Sequence, residues 1–162
     1  MSIPLVDLKA AHEAISAEVD EGFRRVLGAT AFILGPDVKA FEAEYAAFVG
    51  AAHCVGVANG TDAVELCVRA AGLTRDDEVL VPTNSFIATA LGVERAGAKV
   101  VLVDSDEHHL IDLASCAKRV TKKTKAIFPV HLFGQCAEME KVSAFAKSHG
   151  LVVLEDAAQA QG

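Results

Sequence analysis

The sequence predicts an α/β fold with a largely parallel sheet, and two patterns predict it. Short apolar runs have the length and composition of buried strands, at 54–58, 78–81, 99–103, 126–130 and 151–154. Segments with helical spacing of apolar residues separate them, at 62–71, 86–96, 113–120 and 138–149. Strands that alternate with helices in this way are typical of right-handed βαβ units, in which helices cover a parallel sheet.

Two further helices are predicted ahead of the first strand. Apolar residues at roughly helical spacing predict a helix over 6–27, which Gly28 is expected to end. A loop over 29–36 follows, and Pro36 can begin a second helix over 37–49. The loop carries consecutive apolar residues, so we expect it to be an association surface.

Composition narrows the function classes. The 162 residues are 52% hydrophobic and 23% charged, which is enough apolar material for the core of one domain. The net charge of -7 gives no electrostatic reason to expect nucleic acid or an anionic membrane as a partner. We expect a cytoplasmic protein, because the four scattered cysteines indicate reduced thiols and neither a signal peptide nor a membrane-spanning run is visible.

Polar residues follow the predicted strands at the points where the strands end. They are Asn59-Gly60-Thr61-Asp62, Thr83-Asn84-Ser85-Phe86, Asp104, His131 and Asp156. The carboxyl ends of parallel strands meet at one edge of a sheet, which is where open α/β folds bind ligands. This pattern favours a small-molecule site. A metal site at 104–109 is not expected, because the adjacent His108 and His109 side chains would point apart.

The segment 59–62 reads as a turn from a strand into a helix. Gly60 allows a tight turn, and Thr61 or Asp62 can cap the helix. The free N–H groups of the first helical turn suit a phosphate. A plain capped helix start without a ligand fits the same residues. The segment is not a P-loop, because no Gly-Lys-Ser/Thr follows, and it is not a dinucleotide-binding fingerprint, because the GxGxxG pattern is absent.

Three other residues have two readings each. The carboxylate of Asp156, at the end of a buried strand, needs a partner: a helix N-terminus, an arginine or the protonated ring nitrogen of a cofactor. Phe86 either packs in the core or lies at the site. His131 either contacts a substrate or is a hydrogen-bonded structural histidine.

Five blocks, in order along the whole chain, carry a family resemblance. They are Phe32-Ile33-Leu34-Gly35-Pro36 with Phe41-Glu42, Ala58-Asn59-Gly60-Thr61-Asp62-Ala63, Asn84-Ser85-Phe86-Ile87-Ala88-Thr89, Pro129-Val130-His131-Leu132-Phe133-Gly134-Gln135 and Glu155-Asp156-Ala157-Ala158-Gln159-Ala160. Together they resemble the sugar aminotransferases of the DegT/DnrJ/EryC1/StrS family. The resemblance implies fold type I of the pyridoxal-phosphate-dependent aminotransferases, with an amino-terminal helix and loop over 1–35 and an incomplete, truncated large domain over 36–162.

The resemblance also implies a role for each matching residue. Backbone amides of Gly60, Thr61 and Asp62 would hold the phosphate of pyridoxal 5′-phosphate. Phe86 would stack on its pyridine ring. Asp156 would pair with the protonated ring nitrogen, and Gln159 would hydrogen-bond the phenolic oxygen. These roles agree with the site indicated by the strand ends.

The chain departs from the family pattern in two ways. Gln161 stands where the family often has histidine. The family's Schiff-base lysine and its carboxy-terminal small domain would lie beyond Gly162, so no catalytic residue is expected within the chain, and the chain alone is expected to be inactive.

The resemblance implies that the full-length protein is a homodimer, with 29–36 near the partner. It would transfer an amino group, from glutamate, to a nucleotide-linked keto-deoxysugar. The blocks resemble the 3-keto branch more than the 4-keto branch. Two alternatives stay open: a sugar dehydratase of the same family with histidine in place of the lysine, and a non-catalytic sensor or assembly module.

Overall fold

The structure is a computed structural model that describes residues 6–161. It contains two compact units, which divide between Gly56 and Val57. This division falls later in the chain than the boundary expected at 35/36. Two contacts account for this: the Arg25 guanidinium pairs with Asp37 at the start of the second helix, and the amide of Gly56 donates to Glu42 Oε1 at 2.8 Å.

The first unit contains α1 (Leu8–Ala29) and α2 (Pro36–Phe48). The side chain of Asp7 caps α1 by accepting from the amide of Ala10 at 3.0 Å. The helix does not end at Gly28 as expected, because Thr30 takes the left-handed conformation and ends it. No helix between residues 6 and 161 is both long enough and apolar enough to cross a membrane.

The strand predicted over 54–58 is wrong. Within the described residues this segment pairs with no strand, and the amide of Gly56 bonds to a carboxylate instead of a neighbouring strand. The side chain of Val55 is 76% exposed. An apolar run becomes a strand only where another strand accepts its ladder of hydrogen bonds.

The second unit is a parallel sheet covered by helices, as predicted. Its strands are β1 (Glu78–Pro82), β2 (Lys99–Val103), β3 (Thr124–Ile127) and β4 (Val152–Val153), in the order β2-β1-β3-β4. Its helices are α3 (Gly60–Ala70), α4 (Ile87–Ala96), α5 (Leu113–Arg119) and α6 (Met139–His149), with a 3-10 turn at Leu132–Gly134. β3 and β4 are shorter than predicted, and beyond them a single parallel bridge joins Val130 to Asp156.

The central strand β1 is buried along its whole length, and its side chains alternate between two apolar clusters. Val79 and Val81 pack with Val64, Val68 and residues of α4. Leu80 packs on the other face with residues of α5 and α6. Helices therefore cover both faces of the sheet, which leaves its edges as the places where polar groups reach solvent.

α3 and α4 pack closely because Gly92 is a glycine. A Cβ at this buried position would lie 2.5 Å from Val64 Cγ1 and 3.0 Å from the amide nitrogen of Glu65. Such distances are well inside van der Waals contact, so any larger side chain would push the two helices apart. Both helices begin at the carboxyl edge of the sheet, and this packing fixes the spacing of their N-termini.

Candidate functional site

A cavity of about 370 Å³ lies at the carboxyl edge of the sheet. Among the residues that line it are Gly60, Thr61, Phe86, Asp156 and Gln159, which are five of the six predicted site residues. The sixth, Asp62, lies beside the cavity and does not line it. The fold therefore brings together residues that are far apart in the sequence.

The start of α3 is capped by Asn59, not by Thr61 or Asp62 as expected. Its side-chain oxygen accepts from the amide of Asp62 at 2.9 Å, and its side-chain nitrogen donates to Asp62 Oδ2 at 3.0 Å. The Asp62 amide is thus already used within the protein. The amides of Gly60 and Thr61 have no acceptor between residues 6 and 161, so they are the turn's donors for a ligand.

Gly60 is not needed for a left-handed turn. Its φ is not among the positive values of the described glycines. A Cβ added there would meet no described atom within 4 Å. The absence of a side chain at Gly60 therefore leaves space at the cavity wall, and no described atom of the protein fills that space.

The carboxylate of Asp62 is paired with arginine. Arg95 approaches Asp62 Oδ1 at 3.3 Å and also Glu65 Oε2 at 2.9 Å. A negative side chain in the first turn is stabilised by the helix dipole but would repel a bound anion. The nearby guanidinium offsets this repulsion, which keeps the helix start suitable for a phosphate.

Asp156 has partners that differ from the arginine or helix N-terminus considered above. Thr89 Oγ1 donates to Asp156 Oδ2 at 2.9 Å, and the amide of Ala158 donates to Oδ1 at 3.2 Å. Ser85 Oγ lies 2.7 Å from Thr89 Oγ1. Sequence reasoning missed Thr89 as a site residue, although it stands in the first turn of α4, four positions after Ser85.

Phe86 lies at the site and not in the core. It is the N-cap of α4, with extended backbone angles, and its side chain is 72% exposed while lining the cavity. A large aromatic ring left in solvent beside a cavity offers a face on which a planar ligand can stack. The core-packing reading of Phe86 is therefore wrong.

The carboxamide of Gln159 has a fixed orientation. Its Oε1 accepts from the amide of Phe133 at 2.6 Å. Only the oxygen of a carboxamide accepts a hydrogen bond, so this contact assigns the side-chain flip. The amide nitrogen remains as a donor, and a phenolate oxygen is a suitable acceptor for it.

His131 is a hydrogen-bonded structural histidine and not a substrate contact. It is 3% exposed, its Nδ1 accepts from the amide of Ala137 at 3.1 Å, and its Nε2 lies 2.9 Å from Glu155 Oε1. Because Nδ1 is an acceptor, the ring proton is on Nε2 and donates to Glu155. Both nitrogens are used within the protein, which leaves none for a substrate.

Two further groups lie away from the cavity. Asp106 Oδ1 accepts from the amides of His108 and Leu110, at 2.9 and 3.0 Å, so the acidic and histidine-rich run at 104–109 forms a turn. None of the chain's lysines, all of which lie within residues 6–161, lines the cavity.

Comparison with known proteins places this chain in a family. Residues 13–162 match the model described as the DegT/DnrJ/EryC1/StrS aminotransferase family. The chain belongs to this family. Across 99% of its length it is 44% identical to the dTDP-3-amino-3,4,6-trideoxy-alpha-D-glucose transaminase of Streptomyces venezuelae, and covers 42% of that protein. It is 45% identical to the erythromycin biosynthesis sensory transduction protein EryC1 of Saccharopolyspora erythraea, and covers 44% of it.

Solved structures of similar proteins have the same fold. The chain matches S. venezuelae DesV with a TM-score of 0.95 and 43% identity, over 99% of this chain and 43% of DesV. It matches NtdA of Bacillus subtilis, solved with bound cofactor PMP, with a TM-score of 0.94 and 29% identity, over 99% of this chain and 38% of NtdA. The expected aminotransferase fold is therefore confirmed, and the chain spans less than half the length of these relatives.

Proposed function

We propose that the full-length protein is a pyridoxal-phosphate-dependent aminotransferase that moves an amino group from glutamate to a nucleotide-linked 3-keto-deoxysugar. The observation that carries this proposal is one cavity lined by a helix start, an exposed phenylalanine and a strand-end carboxylate. The name of the S. venezuelae relative, a transaminase that makes a 3-amino sugar, supports the 3-keto position.

The donors and acceptors of the cavity fit this cofactor. The Gly60 and Thr61 amides, with the α3 dipole, suit its dianionic phosphate. Asp156 suits a cationic ring nitrogen, and the free amide nitrogen of Gln159 suits a phenolate oxygen. Phe86 offers a ring face. Each charge on the cofactor is thus met by a group of opposite polarity.

Bound pyridoxal phosphate supplies an electron sink for the reacting carbon of an amino substrate, provided that its ring nitrogen stays protonated. Asp156 would hold that proton at the ring nitrogen. Phe86 would orient the ring plane and cover one face from water. The amides of Gly60 and Thr61 would anchor the phosphate and so hold the cofactor ring in one position.

The Schiff-base lysine is proposed to lie outside residues 1–162. The support is that no lysine of the chain lines the cavity, although every one of them is described. Residues 1–162 by themselves are then expected to bind the cofactor weakly or undetectably, without a covalent link, and to lack activity. Histidine in place of that lysine would favour the dehydratase alternative.

A homodimer is proposed as the working form. Phe32, Ile33 and Leu34 follow one another and are 64%, 87% and 72% exposed in the single chain. Consecutive exposed apolar side chains favour burial against another surface, and a second copy of the protein is the proposed partner. Sedimentation at micromolar concentration should show a dimer.

A cytoplasmic location is proposed because all four cysteines are free.

A non-catalytic sensor is the second candidate, and the name of the EryC1 relative, a sensory transduction protein, favours it. The two candidates differ at the lysine. In the sensor the corresponding residue would be unable to form a Schiff base, although the cavity could still hold the cofactor.

Borohydride reduction of the full-length protein with pyridoxal phosphate, followed by peptide mass spectrometry, tests the proposal. We expect one modified lysine outside residues 1–162, together with glutamate-dependent amination of a nucleotide-linked 3-keto sugar. A specific adduct on a lysine within residues 1–162 would overturn the site assignment. Saturable cofactor binding with no adduct and no amination would favour the sensor.

A further inference from the structure

Thr89 is almost fully buried, at 1% exposure, and its hydroxyl joins two other polar side chains. Threonine in a helix commonly donates to a backbone carbonyl one turn earlier. Thr89 Oγ1 instead contacts Asp156 Oδ2 at 2.9 Å and Ser85 Oγ at 2.7 Å. The contact with Asp156 spans 67 positions in the sequence, so the fold and not the helix places it.

The direction of the hydrogen bonds follows from the number of protons. An ionised carboxylate only accepts, so the single proton of Thr89 points to Asp156. Thr89 then has no proton for Ser85, and the Ser85 hydroxyl must donate to Thr89. The two hydroxyls therefore form a chain polarised toward Oδ2 of Asp156, while the amide of Ala158 donates to Oδ1.

Hydrogen bonds donated to both oxygens fix the orientation of the Asp156 carboxylate. In the proposed function Asp156 pairs with the protonated ring nitrogen of the cofactor. A carboxylate that is held at both oxygens stays aimed at that nitrogen, where its negative charge favours the protonated ring. This effect acts through Thr89, which does not have to touch the reacting carbon.

We propose that Thr89 is a positioning residue that, backed by Ser85, holds the Asp156 carboxylate in the orientation in which it pairs with the protonated ring nitrogen of the cofactor. The inference rests on the proposed function, because it concerns the same carboxylate and the same cofactor.

The test uses pyridoxamine 5′-phosphate labelled with 15N at the ring nitrogen, which needs no lysine to bind. The Thr89→Val variant keeps the shape of the side chain and removes the hydroxyl. In this variant the 15N resonance of the bound cofactor should move toward that of unprotonated pyridine. The affinity for pyridoxamine phosphate should weaken roughly two- to tenfold, the range expected for one net hydrogen bond. Thr89→Ser, which keeps the hydroxyl, should restore the wild-type resonance.

Two more variants complete the test. Ser85→Ala should shift the resonance in the same direction by a smaller amount. If Thr89→Val does not fold, the resonance in Ser85→Ala tests the proposal. Thr124→Val removes another buried threonine hydroxyl, at the opposite edge of the sheet, and should leave the resonance unchanged.

Two failures can be told apart. If the wild-type protein binds pyridoxamine phosphate and Asp156→Ala loses the protonated signal, a wild-type resonance in both Thr89→Val and Ser85→Ala overturns this inference alone. If the wild-type protein shows no saturable binding, the proposed function falls, and the inference falls with it.

Discussion

The two edges of the sheet each hold a carboxylate that accepts from a threonine hydroxyl, but of these two carboxylates it is the one at the carboxyl edge that lines the cavity described above. At the amino edge, Glu78 accepts from Thr121 at 2.6 Å, lies 3.5 Å from the ammonium of Lys99 and is 7% exposed. At the carboxyl edge, Asp156 accepts from Thr89 at 2.9 Å and lines a cavity of about 370 Å³.

The difference lies in what remains around each carboxylate. Glu78 has a cation and hydroxyls of the protein itself, so its charge is compensated internally. Asp156 has donors at both oxygens but no cationic partner among the described residues, and it faces open space. A carboxylate with uncompensated charge beside a cavity indicates a cationic ligand, whereas a compensated one indicates a structural role.

Removing each carboxylate is the strongest test of this contrast. Asp156→Ala in the full-length protein should lower the kcat of the proposed amination by at least about 10²–10³-fold, because the charge proposed to hold the ring proton is lost. Asp156→Asn should be nearly as poor, since an amide carries no charge. Both variants should keep the wild-type circular dichroism spectrum.

Glu78→Gln is the matched control, since it removes a carboxylate from the other edge. It should keep near-normal turnover under conditions in which it is folded. Near-normal turnover of Asp156→Ala, or a catalytic loss in folded Glu78→Gln as large as that of Asp156→Ala, would contradict the assignment of the two edges.

Two glycines extend the same comparison to the backbone. Gly92→Ala should destabilise the protein by about 1–3 kcal/mol, because the new methyl meets Val64 at 2.5 Å. Gly60→Ala meets no described atom within 4 Å and should leave the unfolding midpoint unchanged or slightly raised. If a phosphate sits against Gly60, this variant should instead weaken pyridoxamine phosphate binding.

Urea unfolding and a binding titration on both glycine variants separate the two effects. A stable Gly60→Ala variant with wild-type affinity would show that no ligand approaches that turn. An unchanged unfolding midpoint for Gly92→Ala would show that the packing of α3 on α4 can relax.

Much of the site followed from the sequence because its signals are local. Strand ends marked the edge of the sheet, and a glycine at a helix start marked the turn that is proposed to bind phosphate. The strand at 54–58 was wrong because strand pairing depends on a partner elsewhere in the chain. The role of Thr89 was missed for a similar reason, since its acceptor lies 67 positions away. The cap was misassigned to Thr61 or Asp62 because three adjacent polar residues can all cap, and only the backbone path selects Asn59.

The smallest expected effect is a pH dependence of the protein's stability that comes from Glu78. The Thr121 hydroxyl, with the Lys99 ammonium and Thr124 hydroxyl adding to it, holds the pKa of Glu78 below its ordinary value of 4.5. A carboxylate with a lowered folded-state pKa stabilises the protein above the unfolded-state value and loses that contribution as the pH falls through the folded-state value. Glu78→Gln should therefore unfold at lower urea than the wild-type protein near pH 7, and the difference should shrink below about pH 4.5. Urea midpoints measured from pH 7 to pH 3 would show this convergence. A gap of constant size across that range would mean that the shape of the side chain, and not its charge, stabilises the amino edge.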